Sequence, residues 1–138
     1  MKRTAKAHWS GNLKEGKGNI TTQSGILNHT NYSFKTRFTD EETGTNPEEL
    51  LAAAHAGCFT MAVSAALTEK GLIAQALDTE ATVQMEGLSI TSVHLHITGQ
   101  VDGLSAADFE SITKAAEKNC LISKVLSIPI SSEAHLLA

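Results

Sequence analysis

TNPEELLAAAHAGCFTMAVSAALTEKG, Thr45 to Gly71, opens with a strong helix start and then stays apolar on nearly every side. Asn46 can cap, Pro47 suits the first helical position, and Glu48 and Glu49 favour the positive end of the helix dipole. Gly71 is placed to stop the helix, which is predicted to run to about Glu69 or Lys70. A helix apolar all round is one enclosed by other protein rather than lying on a surface, so this segment is predicted to be the centre of the fold. Its most apolar part, Leu50 to Val63, is interrupted by His55 and falls short of the roughly 20 residues that cross a bilayer, so no membrane span is expected.

Strands and turns flank this helix. Ala7 to Leu13 is closed by Glu15-Gly16-Lys17-Gly18, and Asn19 to Gln23 is followed by a turn at Ser24-Gly25. From Asn31 to Phe38, Tyr32, Phe34, Thr36 and Phe38 alternate with Ser33, Lys35 and Arg37, predicting a strand from which Arg37 points away from the apolar face. Downstream, Leu77 to Met85 and Ile90 to Val101 pair around Glu86-Gly87. In the second of these, Thr91, Val93, Leu95, Ile97 and Val101 form a buried face against the wet Ser92, His94, His96 and Thr98. A second helix opens at Ser105, with a capping-box-like pair to Asp108 and a Leu104–Phe109 staple, and ends near Lys118 or Asn119. Leu121 to Leu126 adds a short helical turn, and Ile128 to Leu136 a last strand that Pro129 places near an edge. The order of elements is that of an α+β fold, and residues 1–138 read as a single domain.

Composition narrows the function classes. The 138 residues are 41% hydrophobic but only 4% aromatic, so the core must be built from Ala, Leu, Ile and Val. Eleven Lys and Arg against fifteen Asp and Glu give a net charge of −4, which offers no basic footprint for a nucleic acid. The start, MKRTAKAHWSGN, lacks the apolar run of a secretory signal, so the cytoplasm is the expected compartment. There, Cys58 and Cys120 are more apt for transient redox chemistry or metal binding than for a permanent disulfide.

Residue by residue, several readings stay open. Cys58, mid-helix, is either a small core hydrophobe or a reactive thiol; burial alone makes a thiol inert, so reactivity requires a nearby cation. His55, three residues earlier, shares its face and fits a base, part of a zinc site with the cysteines, or a histidine satisfied by a helix-packing hydrogen bond. No CxxC or HxxxH pair favours zinc. His94 and His96 have chelating spacing on a strand, where solvated polar residues are the plainer reading. His8, His29 and His135 stand alone.

The segment GTNPEELLAAAHAGCFTMAVS, Gly44 to Ser64, resembles the signature of the OsmC/Ohr family of osmotically inducible and organic hydroperoxide resistance proteins. The likeness extends to AHWSG at Ala7, to NYSFKTRF at Asn31 to Phe38, and to KNCLISKVL at Lys118 to Leu126, and the His55 version is closer to the OsmC branch. The resemblance implies an OsmC-like fold, antiparallel sheets wrapped around two central helices in an intertwined homodimer. It implies a thiol peroxidase that reduces organic hydroperoxides, and hydrogen peroxide with them, in oxidative or osmotic stress defence. Cys58 then corresponds to the peroxidatic cysteine, Cys120 to the resolving cysteine, Arg37 to the arginine that stabilises the thiolate, and Glu48 to the carboxylate that positions Arg37. No cofactor or metal is implied, and the reductant is a thiol or dithiol, lipoyl-type compounds included. Phe59, Met61 and Leu51 fit either a substrate pocket or plain core. The family often has Pro after the resolving cysteine, where this chain has Leu121. The other class of function is a non-enzymatic stress or small-ligand-binding dimer on the same fold.

Helix arithmetic adds one inference. Glu48 and Cys58 are ten residues apart, about 15 Å along one helix and on different faces. If both serve one site, Arg37 and Glu48 of one chain approach Cys58 of the other across a two-fold axis.

Overall fold

Local signals for capping and alternation place six strands and four helices along the chain, and the computed structural model describes all 138 residues, Met1–Ala138. Residues Met1–Leu50 and Leu51–Ala138 form two compact units.

In the first unit, β1 (Ala5–Ser10), β2 (Lys17–Thr22) and β3 (Thr30–Tyr32) form an antiparallel meander in that order. The strand expected over Asn31 to Phe38 is replaced after Tyr32 by a short helix, α1 (Phe34–Phe38). Its cause is a reciprocal capping box: Thr36 N–H donates to Ser33 Oγ at 3.2 Å and Ser33 N–H donates to Thr36 Oγ1 at 2.7 Å. Phe34 and Phe38, which read as alternate strand positions, are also one helical turn apart, and their ring centroids lie 4.8 Å from each other. Arg37 therefore projects from a helix, not from the polar face of a strand.

Helix α2 (Pro47–Glu69) begins as its sequence directs, with Glu49 N–H donating to Asn46 Oδ1 at 2.8 Å. It stops at Gly71, whose φ of 73° is the left-handed geometry that glycine adopts without strain. His55, Phe59, Val63 and Leu67, spaced one turn apart, are all buried. The opposite side, carrying Ala53, Ala54, Gly57, Met61 and Ala65, is exposed. By length and composition alone α2 is apolar enough to cross a membrane, but its buried stripe belongs to a protein core. The enclosure expected from its all-round apolarity is thus half supplied by a single chain.

The second sheet has the order β4 (Ala74–Glu86), β5 (Ser89–Val101), β6 (Ile130–Leu136). β4 and β5 form the expected hairpin, whereas β6 joins β5 in parallel, so this sheet is mixed rather than purely antiparallel. A parallel partner requires a crossover, supplied by α3 (Ala106–Asn119) and α4 (Leu121–Val125). Ser105 caps α3 by accepting from Asp108 N–H at 3.1 Å. Lys114 fastens α3 to β6 by donating to the Ser132 carbonyl at 2.5 Å, and Ser132 Oγ donates to Glu117. Val93, Leu95 and Ile97 of β5 meet Phe59, Val63 and Leu67 of α2 and Phe109, Ile112 and Ala116 of α3 in one core.

Gly99 of β5 lies against the Phe109 ring of α3. A Cβ there would lie 2.5 Å from Cζ of Phe109, a fully buried ring. Gly99→Ala is expected to destabilise the protein by about 1–3 kcal/mol through overpacking, read as a lower midpoint in urea unfolding. An unchanged midpoint would show that the ring has room to move.

Candidate active site

The residues singled out by sequence fall into two pairs, one in each unit. In the first, the α1 capping box sets the direction of Arg37, and Asn46 Nδ2 donates to the Thr36 carbonyl at 3.0 Å, tying α1 to the start of α2. Arg37 reaches Glu48 on the first turn of α2: Nε donates to Oε1 at 2.8 Å and Nη2 lies 2.6 Å from the same oxygen. Glu48 is buried, and its Oε2 has no partner. The Arg37 side chain remains 41% exposed, so the guanidinium is held on one edge and open on the other. Beside it lies a cavity of about 290 Å³ walled by Trp9, Leu13, Tyr32, Phe34 and Pro47. Its aromatic walls went unread in the sequence, because only the folded meander brings Trp9 and Tyr32 together, with centroids 5.6 Å apart.

The second pair is Cys58 on α2 and Cys120 at the junction of α3 and α4. Both are free thiols, Cys58 half-buried and Cys120 only 1% exposed. Their side chains adjoin, so that each thiol perturbs the ionisation of the other. Burial pushes the Cys58 thiol up, the neighbouring Cys120 adds to this, and the N–H groups of Ile122 and Leu121 oppose it. Burial also works against ionisation of Cys120. The neighbouring Cys58, Ser123 and the Ile122 N–H outweigh it, so the Cys120 thiol is held below its ordinary range. Within one chain the surroundings therefore favour ionisation of Cys120 over that of Cys58. A cation brought to Cys58 reverses that order, because it stabilises the thiolate there directly.

Leu121 stands first in α4, so the short helix after Cys120 forms without the expected proline. Of the proposed pocket residues, Phe59 is core, fully buried, while Met61 is 74% exposed and Leu51 half-buried. His94 is held across the β5–β6 edge, with Nδ1 2.7 Å from Ser131 Oγ and Nε2 2.9 Å from Glu133 Oε1. Both of its nitrogens are engaged by protein groups, and the bond from His94 holds the Glu133 carboxyl below the usual carboxylate range.

His55 makes the helix-packing hydrogen bond that was one of its readings, with Nε2 2.8 Å from Ser123 Oγ. Ser123 was missed, although it lies in the first turn of the short helix that Cys120 caps. Burial lowers the His55 pKa, so the folded protein keeps this imidazole neutral where the unfolded chain takes a proton near pH 6.5. Below about pH 6.5 the unfolded state binds more protons, so this contribution is full above that pH and lost as pH falls toward the folded value. Urea unfolding at pH 7.5 and 5.5 is expected to show a larger loss of stability on acidification in the wild type than in His55→Gln. Equal losses would contradict a neutral buried His55.

Comparison with known proteins gives the family of the chain. A family model described as OsmC-like protein matches residues 39–133, which include Glu48, Cys58 and Cys120 and begin just after Arg37. The chain is 43% identical over 134 residues to Peroxiredoxin OsmC of Escherichia coli (strain K12), covering 94% of this chain and 93% of that one. Among solved structures it is similar to an OsmC-like protein of unknown function from Vibrio cholerae, with TM-score 0.75 and 16% identity over 97% of this chain and 99% of the other. It is also similar to the organic hydroperoxide resistance protein OhrB of Bacillus subtilis, with TM-score 0.68 and 24% identity over 97% and 98% of the two chains. At such identities the structural likenesses establish the fold, while the sequence matches establish descent: this chain belongs to the OsmC-like protein family.

Proposed function

We propose that the protein is a cysteine-based peroxidase that reduces organic hydroperoxides at the expense of a thiol or dithiol, acting in the cytoplasm. The observation that carries this reading is the adjoining pair of free thiols, Cys58 and Cys120, brought together from opposite ends of the second unit. The relative named a peroxiredoxin, 43% identical, supports the same chemistry. Cys58 is the more exposed sulfur and so the one a peroxide can reach; Cys120, buried behind it, is the resolving thiol.

In the first step the Cys58 thiolate attacks the distal peroxide oxygen. The O–O bond breaks, an alcohol leaves after taking up a proton, and Cys58 becomes a sulfenic acid. Cys120 then displaces hydroxide from that sulfur to form a disulfide, and exchange with an external dithiol restores both thiols. Sulfur alone carries the two-electron change.

The cation is Arg37, and we place it across a two-fold axis. Ten residues of helix separate Glu48 from Cys58, about 15 Å of rise, and α2 leaves a small-residue apolar face uncovered in one chain. A second copy covering that face brings its Arg37–Glu48 pair to Cys58, and its aromatic cavity beside Arg37 receives the organic part of the substrate. This also meets the electrostatic need found above, since only a cation makes Cys58 the better nucleophile.

Two experiments test the reading. Cys58→Ser is expected to abolish peroxide consumption, whereas Cys120→Ser completes one turnover and stops with a sulfenic acid that mass spectrometry detects; identical behaviour of the two would overturn the roles. Refolding Cys58→Ser together with Arg37→Ala, each inactive alone, is expected to recover about a quarter of wild-type activity, because half the dimers then carry one intact site of two. A mixture that stays inactive would place Arg37 and Cys58 in the same chain.

A further inference from the structure

His55 and Ser123 repeat the spacing of the two cysteines. His55 lies three residues before Cys58 on the same side of α2, and Ser123 lies three residues after Cys120, the residue that caps the start of α4. The two helices are thus joined by two rungs, Cys58 to Cys120 and His55 to Ser123, the second at 2.8 Å between Nε2 and Oγ. His55 is completely buried, and its other nitrogen, Nδ1, has no partner. An imidazolium in such a place would leave an unpaired N–H beside an uncompensated charge, so the ring is neutral. With the proton on Nε2, His55 donates to Ser123 Oγ, which leaves the single proton of the Ser123 hydroxyl free for the neighbouring Cys120, whose ionisation Ser123 favours. A hydroxyl polarised by one donor is a better donor to the next acceptor in the chain.

We infer that His55 and Ser123 are positioning residues for the resolving cysteine: His55 fixes the Ser123 hydroxyl so that it points at Cys120 and assists closure of the disulfide, without a part in peroxide reduction itself. This rests on the peroxidase reading above. In the step concerned, the Cys120 sulfur bonds to the Cys58 sulfur of the sulfenic acid. The S–O bond breaks with its electron pair going to hydroxide, and hydroxide combines with the proton released from Cys120 to give water. Cys120 is oxidised as the sulfenic sulfur is reduced, so no outside electron donor enters. The Ser123 hydroxyl stabilises the charge that Cys120 carries as a thiolate once its proton is released, before the attack, and ends the step with its own proton. A helix-packing role alone would be filled by any apolar pair of the same shape, without the cost of a buried unpaired nitrogen.

The test is a rapid-mixing experiment with one equivalent of cumene hydroperoxide on wild type, Ser123→Ala, His55→Ala and His55→Gln. Dimedone traps the sulfenic acid, and intact mass reads disulfide closure. Ser123→Ala and His55→Ala are expected to form sulfenic acid at the wild-type rate but to close the disulfide at least about tenfold more slowly, so that the dimedone adduct accumulates. His55→Gln, which keeps an N–H donor at the position of Nε2, is expected to restore closure to within about threefold of wild type. Closure at the wild-type rate in Ser123→Ala, or an equal slowing of both steps in both alanine variants, would overturn the inference. A wild-type protein that forms no sulfenic acid would instead remove the peroxidase reading, and this inference with it.

Discussion

The reactivity we propose for this chain depends on holding two sulfurs against each other from positions 62 residues apart in sequence, Cys58 and Cys120. Neither helix achieves this alone. α2 needs a stripe of buried side chains, Phe59, Val63 and Leu67, to fix its rotation against β5. α3 needs Phe109, Ile112 and Ala116 in the same core so that its last residue delivers Cys120 to the N-terminus of α4. The parallel addition of β6 closes the arrangement, because the crossover from β5 must carry α3 and α4 over the sheet. The core of the second unit is in this sense a device for setting one sulfur-to-sulfur contact.

That contact is electrostatically incomplete in one chain. Burial raises Cys58, and the surroundings favour ionisation of Cys120 instead. The cation that we propose corrects this is Arg37, fixed by Glu48 and left open on one side. Our reading joins the two halves through a second copy, and the same partner covers the small-residue face of α2 that a single chain leaves exposed. One association thus answers a packing problem and a charge problem together.

Much of this was legible in the sequence where local rules and tertiary structure agree. Asn46-Pro47-Glu48-Glu49 and Gly71 marked the ends of α2 because capping chemistry is local, and the alternation of Val93, Leu95 and Ile97 marked β5 because one face of that strand is buried. The segment from Ser33 to Phe38 misled for the same kind of reason: apolar residues at 34 and 38 satisfy both a two-residue and a four-residue period, and the capping box between Ser33 and Thr36 decided for helix. Long-range pairings were out of reach. Nothing local joins His55 to Ser123 or brings Trp9 to Tyr32, and parallel rather than antiparallel pairing of β6 follows from the crossover rather than from the strand's own residues. The roles given to Cys58, Cys120, Arg37 and Glu48 came from family likeness, to which the structure adds two physical pairings.

The most direct measurement of the central claim is the intact mass and free-thiol content of the wild-type protein after one equivalent of cumene hydroperoxide under anaerobic conditions. The account expects a product lighter by two hydrogens, with both thiols lost and Cys58 linked to Cys120 in the peptide map. A protein that keeps both thiols, or one oxidised at a single cysteine with no link between them, would contradict it.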